Sequence, residues 1–385
     1  MRRDNEHSRL RCLVTDAHLR SSVAGIRGLG AAGIEVLALG PHPLSAGLRS
    51  RYATASAVGP GSEGDSTGFA ERVGALAAEH GRLVVFPGQE RSIDALLDAP
   101  SPLLERTVLP YGPPESLVAL RDKRRLRELA EEVGLQAPKT VVEGVAADLL
   151  TANLSPPVML KPTCPVGVLR NVASVDSEAE LRAFLSAIPA DEPLLVQERG
   201  TGPLTAVAVV MDREGGVAAR FQQEATRTWP SGAGPSSLSV SVPPDHDLQA
   251  RVARLLANAG YVGLAELQFV GTPGGPALID INTRFYGSLP LALAAGINLP
   301  AVWHAAVDGE PTLGPQPYAV GVTYRWLEAD LSAAFRGAPN LLFECPRGPR
   351  VGSMWASDDP VASVLLAASA AGVRLRRRLP TSLPA

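Results

Sequence analysis

Cysteine is scarce in this chain, which has 385 residues and only three cysteines. Cys12, Cys164 and Cys345 lie far apart and form no CxxC pair, so neither a disulfide framework nor a zinc site is indicated. The six histidines are equally scattered, without the HxH or HExxH spacing of common metal sites. These patterns argue against the disulfide-rich class and the cysteine–histidine metal-binding class.

Long apolar runs are also missing. The polar segment from Met1 to Arg11 has no apolar core of a secretory signal. The best apolar run near the C-terminus, Val361 to Val373, has about 13 residues, short of the roughly 20 that span a membrane. Membrane attachment through this run and the basic stretch Arg374 to Arg378 is an alternative to a packed helix with a solvated basic end, which we favour. We therefore expect a cytoplasmic protein without a membrane partner.

An excess of basic charge is absent as well, with 36 Lys and Arg against 39 Asp and Glu and a net charge of −3. No nucleic-acid partner is expected, because such binders normally carry a strong basic excess. Lysine itself occurs only as Lys123, Lys139 and Lys161, and every other basic residue is arginine. A lysine retained in such a chain suggests a need for a compact ammonium, as in phosphate binding.

What is abundant is apolar sequence, at 45% hydrophobic and 19% charged residues, which is typical of a globular chain with a large core. In the first hundred residues we predict strands and helices in alternation: strands at 10–15, 34–39 and 83–86, and helices at 21–33, 69–80 and 92–97. This alternation is typical of a parallel α/β sheet. The GxGxxG pattern from Gly28 to Gly33 is not a dinucleotide site, because it ends a helix and precedes a strand.

The pattern changes from residue 113, where one long charged helix is predicted over 115–134. The elements predicted next are strands at 158–161, 172–175 and 194–198, a helix at 177–188, a hairpin of 205–211 and 217–221, a helix at 247–259, and strands at 263–270 and 276–281. A helical tail is expected from about Leu331. The chain is thus α/β at first and α+β afterwards, without an internal repeat.

Two acids and an asparagine lie in the last two of these strands, which the sequence GTPGG joins. Glu266 lies among apolar neighbours, and Asp280 and Asn282, two residues apart, share one face of their strand. If the strands pair through this turn, Glu266 lies beside Asp280. Two carboxylates and a carboxamide oxygen suit Mg²⁺. The alternative is that the acids pair with arginine on an edge strand, and Arg284 on the same face permits either.

Two lysines and a polar dipeptide are further candidates. Lys161 ends an apolar strand and enters a loop, where its ammonium can reach a phosphate. Lys123 lies in the helical sequence LRDKRRLREL, where a solvated basic face is the alternative. Gln197 and Glu198 follow an apolar strand and lead into a glycine turn, as a backbone hinge beside a flat ligand does.

In this order, the segments resemble the ATP-grasp superfamily, in a group related to carboxylate–amine ligases. The resemblance spans roughly Leu10 to Gly309 and rests on the segments RDKRRLRELAEEVGLQAPKT, VMLKP, LLVQERGTG, AELQF and, most specifically, LIDINTRFYGSLPLALAAGINLP. It implies an N-terminal parallel α/β (pre-ATP-grasp) domain over 10–112 and a two-lobed ATP-grasp fold. The small lobe would cover 113–192, the large lobe 193–320, and a C-terminal helical segment 321–385.

The resemblance also implies a nucleotide site with ATP as the cofactor. Lys123 and Lys161 would hold the ATP phosphates, and Lys161 would also be catalytic. Gln197 and Glu198 would form the hinge beside the adenine ring. Gly167 would belong to the loop that covers the phosphates.

Metal and substrate positions follow from the same resemblance. Glu266, Asp280 and Asn282 would ligate Mg²⁺ (or Mn²⁺) that bridges the phosphates. Arg284 would be catalytic, steadying the transferred phosphoryl group and the acyl phosphate, where its rigid fork suits two oxygens at once. Arg227 and Arg284 would contact the substrate.

Three features depart from the family pattern. The loop after Lys161 has a single glycine, Gly167, where relatives usually carry a glycine-rich lid. Asp280 replaces the more usual glutamate, and no acid follows the hinge, where a ribose-binding glutamate is often found. Together they keep a catalytically degenerate nucleotide-binding scaffold or sensor as the alternative function.

The expected function is an ATP-dependent ligase that forms an amide bond through an acyl phosphate and releases ADP and phosphate. Its partners would be a small carboxylic acid, for example an amino acid, and an amine. A homodimer is left open. Such a reaction needs positioning and charge neutralisation more than covalent work by the protein.

Overall fold

The computed structural model describes residues 10–162, 172–230, 232, 234–310, 312–344 and 348–378. Gly167, predicted as part of the phosphate loop, lies outside the described residues, as do Cys164 and Cys345. Three sheets organise the rest: a parallel sheet of five strands, an antiparallel sheet of four and a mostly antiparallel sheet of seven. None of the described helices has the length and apolar character that crossing a membrane requires.

The first sheet confirms the predicted parallel α/β arrangement. Its elements are β1 (Arg11–Val14), α1 (Arg20–Ala31), β2 (Val36–Gly40), β3 (Ala55–Val58), α2 (Ser66–His80), β4 (Leu83–Phe86), α3 (Glu90–Leu97) and β5 (Thr107–Val108). All strands run parallel in the order β3-β2-β1-β4-β5. Strands β2 and β4 are buried throughout, as strands covered on both faces are. Gly28 and Gly30 lie inside α1 and Gly33 follows it, so the GxGxxG pattern is the end of a helix, as predicted.

Two helices, α4 (Pro114–Arg121) and α5 (Lys123–Glu132), follow the first sheet. The prediction of one continuous helix over 115–134 is therefore wrong. The chain is extended at Asp122, whose carboxylate accepts a hydrogen bond from the backbone N–H of Arg125 and so caps α5. The break places Lys123 at the first position of a new helix.

The antiparallel sheet of four strands, which we call the small lobe, has the order β6-β9-β7-β8. Its elements are β6 (Thr140–Val145), α6 (Ala146–Leu149), β7 (Val158–Pro162), β8 (Ala173–Val175), α7 (Glu178–Ser186) and β9 (Pro193–Glu198). Leu160 and Val196 pack with α6 and α7 on one face. Because side chains alternate along a strand, Lys161 and Gln197 lie on the opposite face.

The seven-stranded sheet, which we call the large lobe, has the order β14-β13-β10-β11-β12-β15-β16. Its first elements are β10 (Leu204–Met211), β11 (Val217–Thr228), β12 (Ser236–Ser241), α8 (His246–Asn258), β13 (Gly263–Thr272), β14 (Gly275–Asn282), α9 (Leu289–Ala294) and α10 (Leu299–Asp308). The Asp245 carboxylate accepts from the N–H of Leu248 and so caps α8. Val209 and Leu267 pack against α8 on one face of the sheet, so their strand neighbours, including Glu266, face away from α8.

The C-terminal segment ends in a helix as predicted, but it also completes the large sheet. Its elements are β15 (Thr323–Arg325), α11 (Leu327–Ala334), β16 (Arg350–Gly352) and α12 (Pro360–Arg378). Strand β15 pairs with β12, and β16 pairs with β15. Helix α12 packs on the first domain through Ala362 and Leu366, in agreement with the packed-helix prediction. Asp359, just before α12, accepts hydrogen bonds from Arg27 and from Ser50.

Candidate functional site

Lys161 lies between the two lobes. Its Nζ donates to the carbonyl of Ile279 in β14 at 3.5 Å, and only 9% of the residue is exposed. Burial, together with the nearby ammonium of Lys123, lowers the pKa of Lys161 to about 8, while Asp280 has a smaller opposing effect. A buried ammonium with a second ammonium nearby is well placed to bind an anion such as a phosphate.

A β-bulge in β14 determines which side chains face one another. Glu266 pairs with Asn282 and Gln268 with Asp280, and the register then skips Ile279. Asn282 therefore lies directly opposite Glu266, and Asp280, expected beside Glu266, is its diagonal neighbour. The three predicted metal ligands still share one face of the sheet, since directly opposed residues point to the same side.

Glu266 is a buried carboxylate, 3% exposed, with two amide partners. Its Oε2 accepts hydrogen bonds from Asn282 Nδ2 at 2.7 Å and from Gln268 Nε2 at 3.0 Å. Burial raises the pKa of Glu266, the two hydrogen bonds lower it, and the charge of Asp280 raises it again. A desolvated carboxylate beside a second one is stabilised in its charged form by a cation.

Asp280 is accessible to solvent and follows Ile279, whose carbonyl accepts from Lys161 of the small lobe. It therefore borders the space between the two lobes, which we call the cleft. Burial raises the pKa of Asp280, and the ammonium groups of Lys123 and Lys161 lower it. In the described parts of the chain, no three His, Cys, Asp or Glu side chains form a metal-binding group. A cation here would therefore depend on the Asn282 carboxamide and on oxygens of the nucleotide, as Mg²⁺ usually does.

The predicted hinge lies at the end of β9. Gln197 is 7% exposed, and its Nε2 donates to the Pro138 carbonyl at 3.4 Å. Its Oε1 is buried without a hydrogen-bond partner in the described structure, so an acceptor is available to a donor such as the amino group of adenine. Glu198 is exposed and forms an ion pair with Lys139 at 2.9 Å, which gives the third lysine a place in the hinge.

Arg284 follows the end of β14 and contacts the first domain. Its Nε lies 3.1 Å from Glu90 Oε1, and its Nη1 donates to the Phe285 carbonyl at 3.2 Å. Glu90 also lies 2.8 Å from Arg121 Nε. The charge of Arg284 contributes a lowering effect on the pKa of Glu266, so the guanidinium lies close enough to interact with the predicted metal ligands.

Arg227 lies in a different cluster. Its Nη2 is 2.6 Å from Asp330, its Nη1 bonds to Glu344, and its Nε donates to Ser237 at 3.2 Å. Asp330, 1% exposed, also binds Arg325 at 2.6 Å. All three guanidinium nitrogens of Arg227 thus have protein partners, and its contact with a substrate stays a prediction.

Two polar residues next to the cleft were not predicted. Asp16 follows β1 and Glu90 follows β4, at neighbouring carboxyl ends of the parallel sheet. From β1 the chain continues to β2 on one side, and from β4 it continues to β5 on the other side. In parallel α/β sheets, ligands bind at such a switch point, outside the carboxyl ends of the strands. Acids within four residues of the ends of two adjacent strands are the sequence signal that could have indicated both.

Comparison by sequence finds relatives of parts of this chain. Residues 192–329 match a family described as ATP-grasp in the biosynthetic pathway with Ter operon. The carbamoyl phosphate synthase large chain of Xylella fastidiosa is 23% identical over 214 residues, covering 51% of this chain and 20% of that protein. The chain therefore spans about one fifth of the length of this curated relative.

Solved structures share the architecture. The biotin carboxylase domain dimer of Hydrogenobacter thermophilus 2-oxoglutarate carboxylase, in complex with MgADP and bicarbonate, has a TM-score of 0.59 at 17% identity, covering 80% of this chain and 72% of that one. L-amino acid ligase from Bacillus licheniformis has a TM-score of 0.56 at 17% identity, covering 78% and 74%. Identities this low show the fold alone, and they confirm the predicted fold class.

Proposed function

We propose that this chain, which matches an ATP-grasp family over residues 192–329, is an ATP-dependent ligase joining a carboxylic acid to an amine. Its cofactors are ATP and Mg²⁺. The observation that carries the proposal is one cleft in which Lys123 and Lys161 lie within electrostatic reach of Asp280, on the face that also holds Glu266 and Asn282. Mg·ATP requires cationic groups that bind its phosphates and, beside them, oxygen ligands that bind its metal ion.

The residues of the cleft fit the nucleotide in three respects. The buried, unpartnered Oε1 of Gln197 would accept from the adenine amino group. Lys123 and Lys161 would bind the phosphates, which would also relieve the repulsion between the two ammonium groups. Glu266, Asp280 and Asn282 would ligate Mg²⁺, whose charge would offset that of the phosphates.

The chemistry proposed is acyl transfer in two steps. A carboxylate oxygen of the acid attacks the γ-phosphorus and ADP leaves, which gives an acyl phosphate. The nitrogen of the amine then attacks the acyl carbon, phosphate leaves, and the amine loses a proton. Arg284 steadies the transferred phosphoryl oxygens, and Lys161 remains protonated against them, so the protein contributes fixed charge and orientation.

The acid and the amine are proposals at a finer level. The likeness to an L-amino acid ligase supports an amino acid as one substrate, and the bicarbonate in the biotin carboxylase structure supports bicarbonate as a second acid to test. The dimer in that structure supports a homodimer for this chain, which light scattering in solution would test.

The experiment is a hydroxamate assay. Protein, Mg·ATP and hydroxylamine are incubated with each of the standard amino acids, common dicarboxylates, hydroxy acids and bicarbonate, and both ADP and hydroxamate are measured. We expect at least one acid to give both products. Glu266→Ala should abolish them, while Glu71→Ala, at an exposed site on α2, should leave them unchanged.

The competing function is a nucleotide-binding scaffold or sensor that no longer ligates. It predicts that Mg·ADP binds while no acid increases ADP release. That combination would overturn the ligase proposal. The retained acids at Glu266 and Asp280 favour the enzyme.

A further inference from the structure

Glu90 connects the first domain to Arg284, the arginine proposed to steady the transferred phosphoryl group. It is the first residue of α3, and its carboxylate contacts Arg284 Nε at 3.1 Å and Arg121 Nε at 2.8 Å. Two guanidinium groups therefore converge on one carboxylate that is 39% exposed. Without this negative charge the two arginines would repel each other, and Arg284, at the end of a strand, would be the one able to move.

The backbone that carries Glu90 is held in place by Asp16. This buried carboxylate accepts hydrogen bonds from the N–H of Gly88 at 3.1 Å, from Gln89 Nε2 at 2.9 Å and from Ser92 Oγ at 2.7 Å. Asp16 has a φ of 54°, a left-handed conformation that a non-glycine residue keeps only where its surroundings enforce it. The residues on both sides of Glu90 are thus tied to the end of β1.

Packing restricts the same segment further. A Cβ on Gly88 would lie 2.3 Å from Ser22 Oγ in α1, so the turn before α3 fits closely against α1. The position of Glu90 is therefore set by hydrogen bonds from β1 and by contact with α1.

The guanidinium of Arg284 is thereby oriented from two sides. Its Nε faces Glu90 and its Nη1 donates to the Phe285 carbonyl. Among the described residues, none accepts a hydrogen bond from its Nη2. We propose that Glu90 is a positioning residue, which aims Arg284 at the phosphoryl group and so couples the first domain to catalysis. This inference rests on the proposed function, because the role of Arg284 is part of it.

The decisive comparison is Glu90→Gln against Asp94→Asn. Glu90→Gln keeps the shape and removes the charge that orients Arg284. Asp94, one turn further along α3, binds Arg121 at 2.6 Å, whereas Arg284 contacts Glu90 and the Phe285 carbonyl, so Asp94→Asn is the matched control. We expect Glu90→Gln to lower kcat by at least about tenfold, with KM for ATP within about twofold of wild type. Asp94→Asn should leave both constants within about twofold.

Recovery of kcat in a charge-conserving variant, together with circular dichroism spectra, distinguishes a positioning role of Glu90 from a structural one. Glu90→Asp keeps the charge and should recover part of the lost kcat, whereas all three variants should keep the circular dichroism spectrum of wild type. An unchanged kcat in Glu90→Gln, or an equal loss in Asp94→Asn, would overturn the inference.

A second measurement does not depend on turnover. Phenylglyoxal labels accessible arginines, and peptide mass spectrometry gives the labelling rate of Arg284. We expect Arg284 to be labelled faster in Glu90→Gln than in wild type, with Asp94→Asn equal to wild type. If wild type forms no product with any acid, the proposed ligase function fails, and equal Arg284 labelling in wild type and Glu90→Gln would overturn the positioning inference separately.

Discussion

Nucleotide binding should weaken as the pH rises from 7 to 9, because Lys161 loses its proton in the free protein over this range. The side chain is 9% exposed and faces a second ammonium, and these surroundings lower its pKa to about 8. A phosphate beside Lys161 favours the protonated form, so binding at high pH requires proton uptake.

The size of the effect follows from this pKa. With a pKa of about 8, the protonated fraction falls from about nine tenths at pH 7 to about one tenth at pH 9. The apparent Kd for Mg·ADP should therefore rise about tenfold, provided that bound phosphate keeps Lys161 protonated up to pH 9. Isothermal titration calorimetry at the two pH values, in buffers of matched ionic strength, measures it.

Lys161→Arg is the control for this prediction, because arginine stays protonated throughout the range. Its Kd should change by less than about twofold between pH 7 and pH 9. A wild-type Kd that does not change with pH, or an equal tenfold rise in Lys161→Arg, would refute the assignment of phosphate binding to the Lys161 ammonium.

The same pKa affects stability in the opposite direction. Since the pKa is lowered from 10.5 to about 8 in the folded protein, the unfolded chain binds more protons between these values. The unfolding free energy of the nucleotide-free protein should thus rise with pH across this window, by up to about 3 kcal/mol from this residue. Urea unfolding at pH 8 and pH 10 should show a smaller rise for Lys161→Met than for wild type.

Three further predictions concern single carboxylates. Glu266→Gln should abolish acid-dependent ADP release without lowering the thermal midpoint, because the amide removes a desolvated charge; a lower midpoint in differential scanning calorimetry would contradict this. Asp330→Asn should cost about 3 kcal/mol in urea unfolding, because Arg227 and Arg325 lose their shared buried partner; a loss under about 1 kcal/mol would be too small for that pairing. Asp359→Ala should speed tryptic release of α12 severalfold, and an unchanged cleavage rate would show that other contacts hold the helix.

The first domain was predictable because its strands are short and continuously apolar. Strand β4 matches its predicted bounds, since Leu83 to Phe86 is buried throughout and flanked by helices. The break at Asp122 was not predicted, because the charge pattern of a helix continues across it. Asp122 can cap a new helix, but within a run of charged residues its sequence context is the same as that of a residue inside a helix.

The shared strand face of the candidate metal ligands was predictable from the sequence, but the register that pairs them was not. Alternation along β14 correctly placed Asp280 and Asn282 on one face. The bulge at Ile279 shifted their partners on β13 by one position, and nothing in the local pattern marks a bulge. The Glu90–Arg284 contact joins residues 194 positions apart, so it depends on how the first domain packs on the large lobe.

The acyl-phosphate step is tested most directly by following a carboxylate oxygen of the acid into the released phosphate. The acid that supports ADP release in the hydroxamate assay is labelled with ¹⁸O in its carboxylate, and the phosphate released in the presence of hydroxylamine is analysed by mass spectrometry. Attack of the carboxylate on the γ-phosphorus predicts one ¹⁸O atom in each phosphate, and hydroxamate in equal amount. Unlabelled phosphate would mean that water attacks ATP, which would contradict an acyl phosphate and, with it, the proposed ligase.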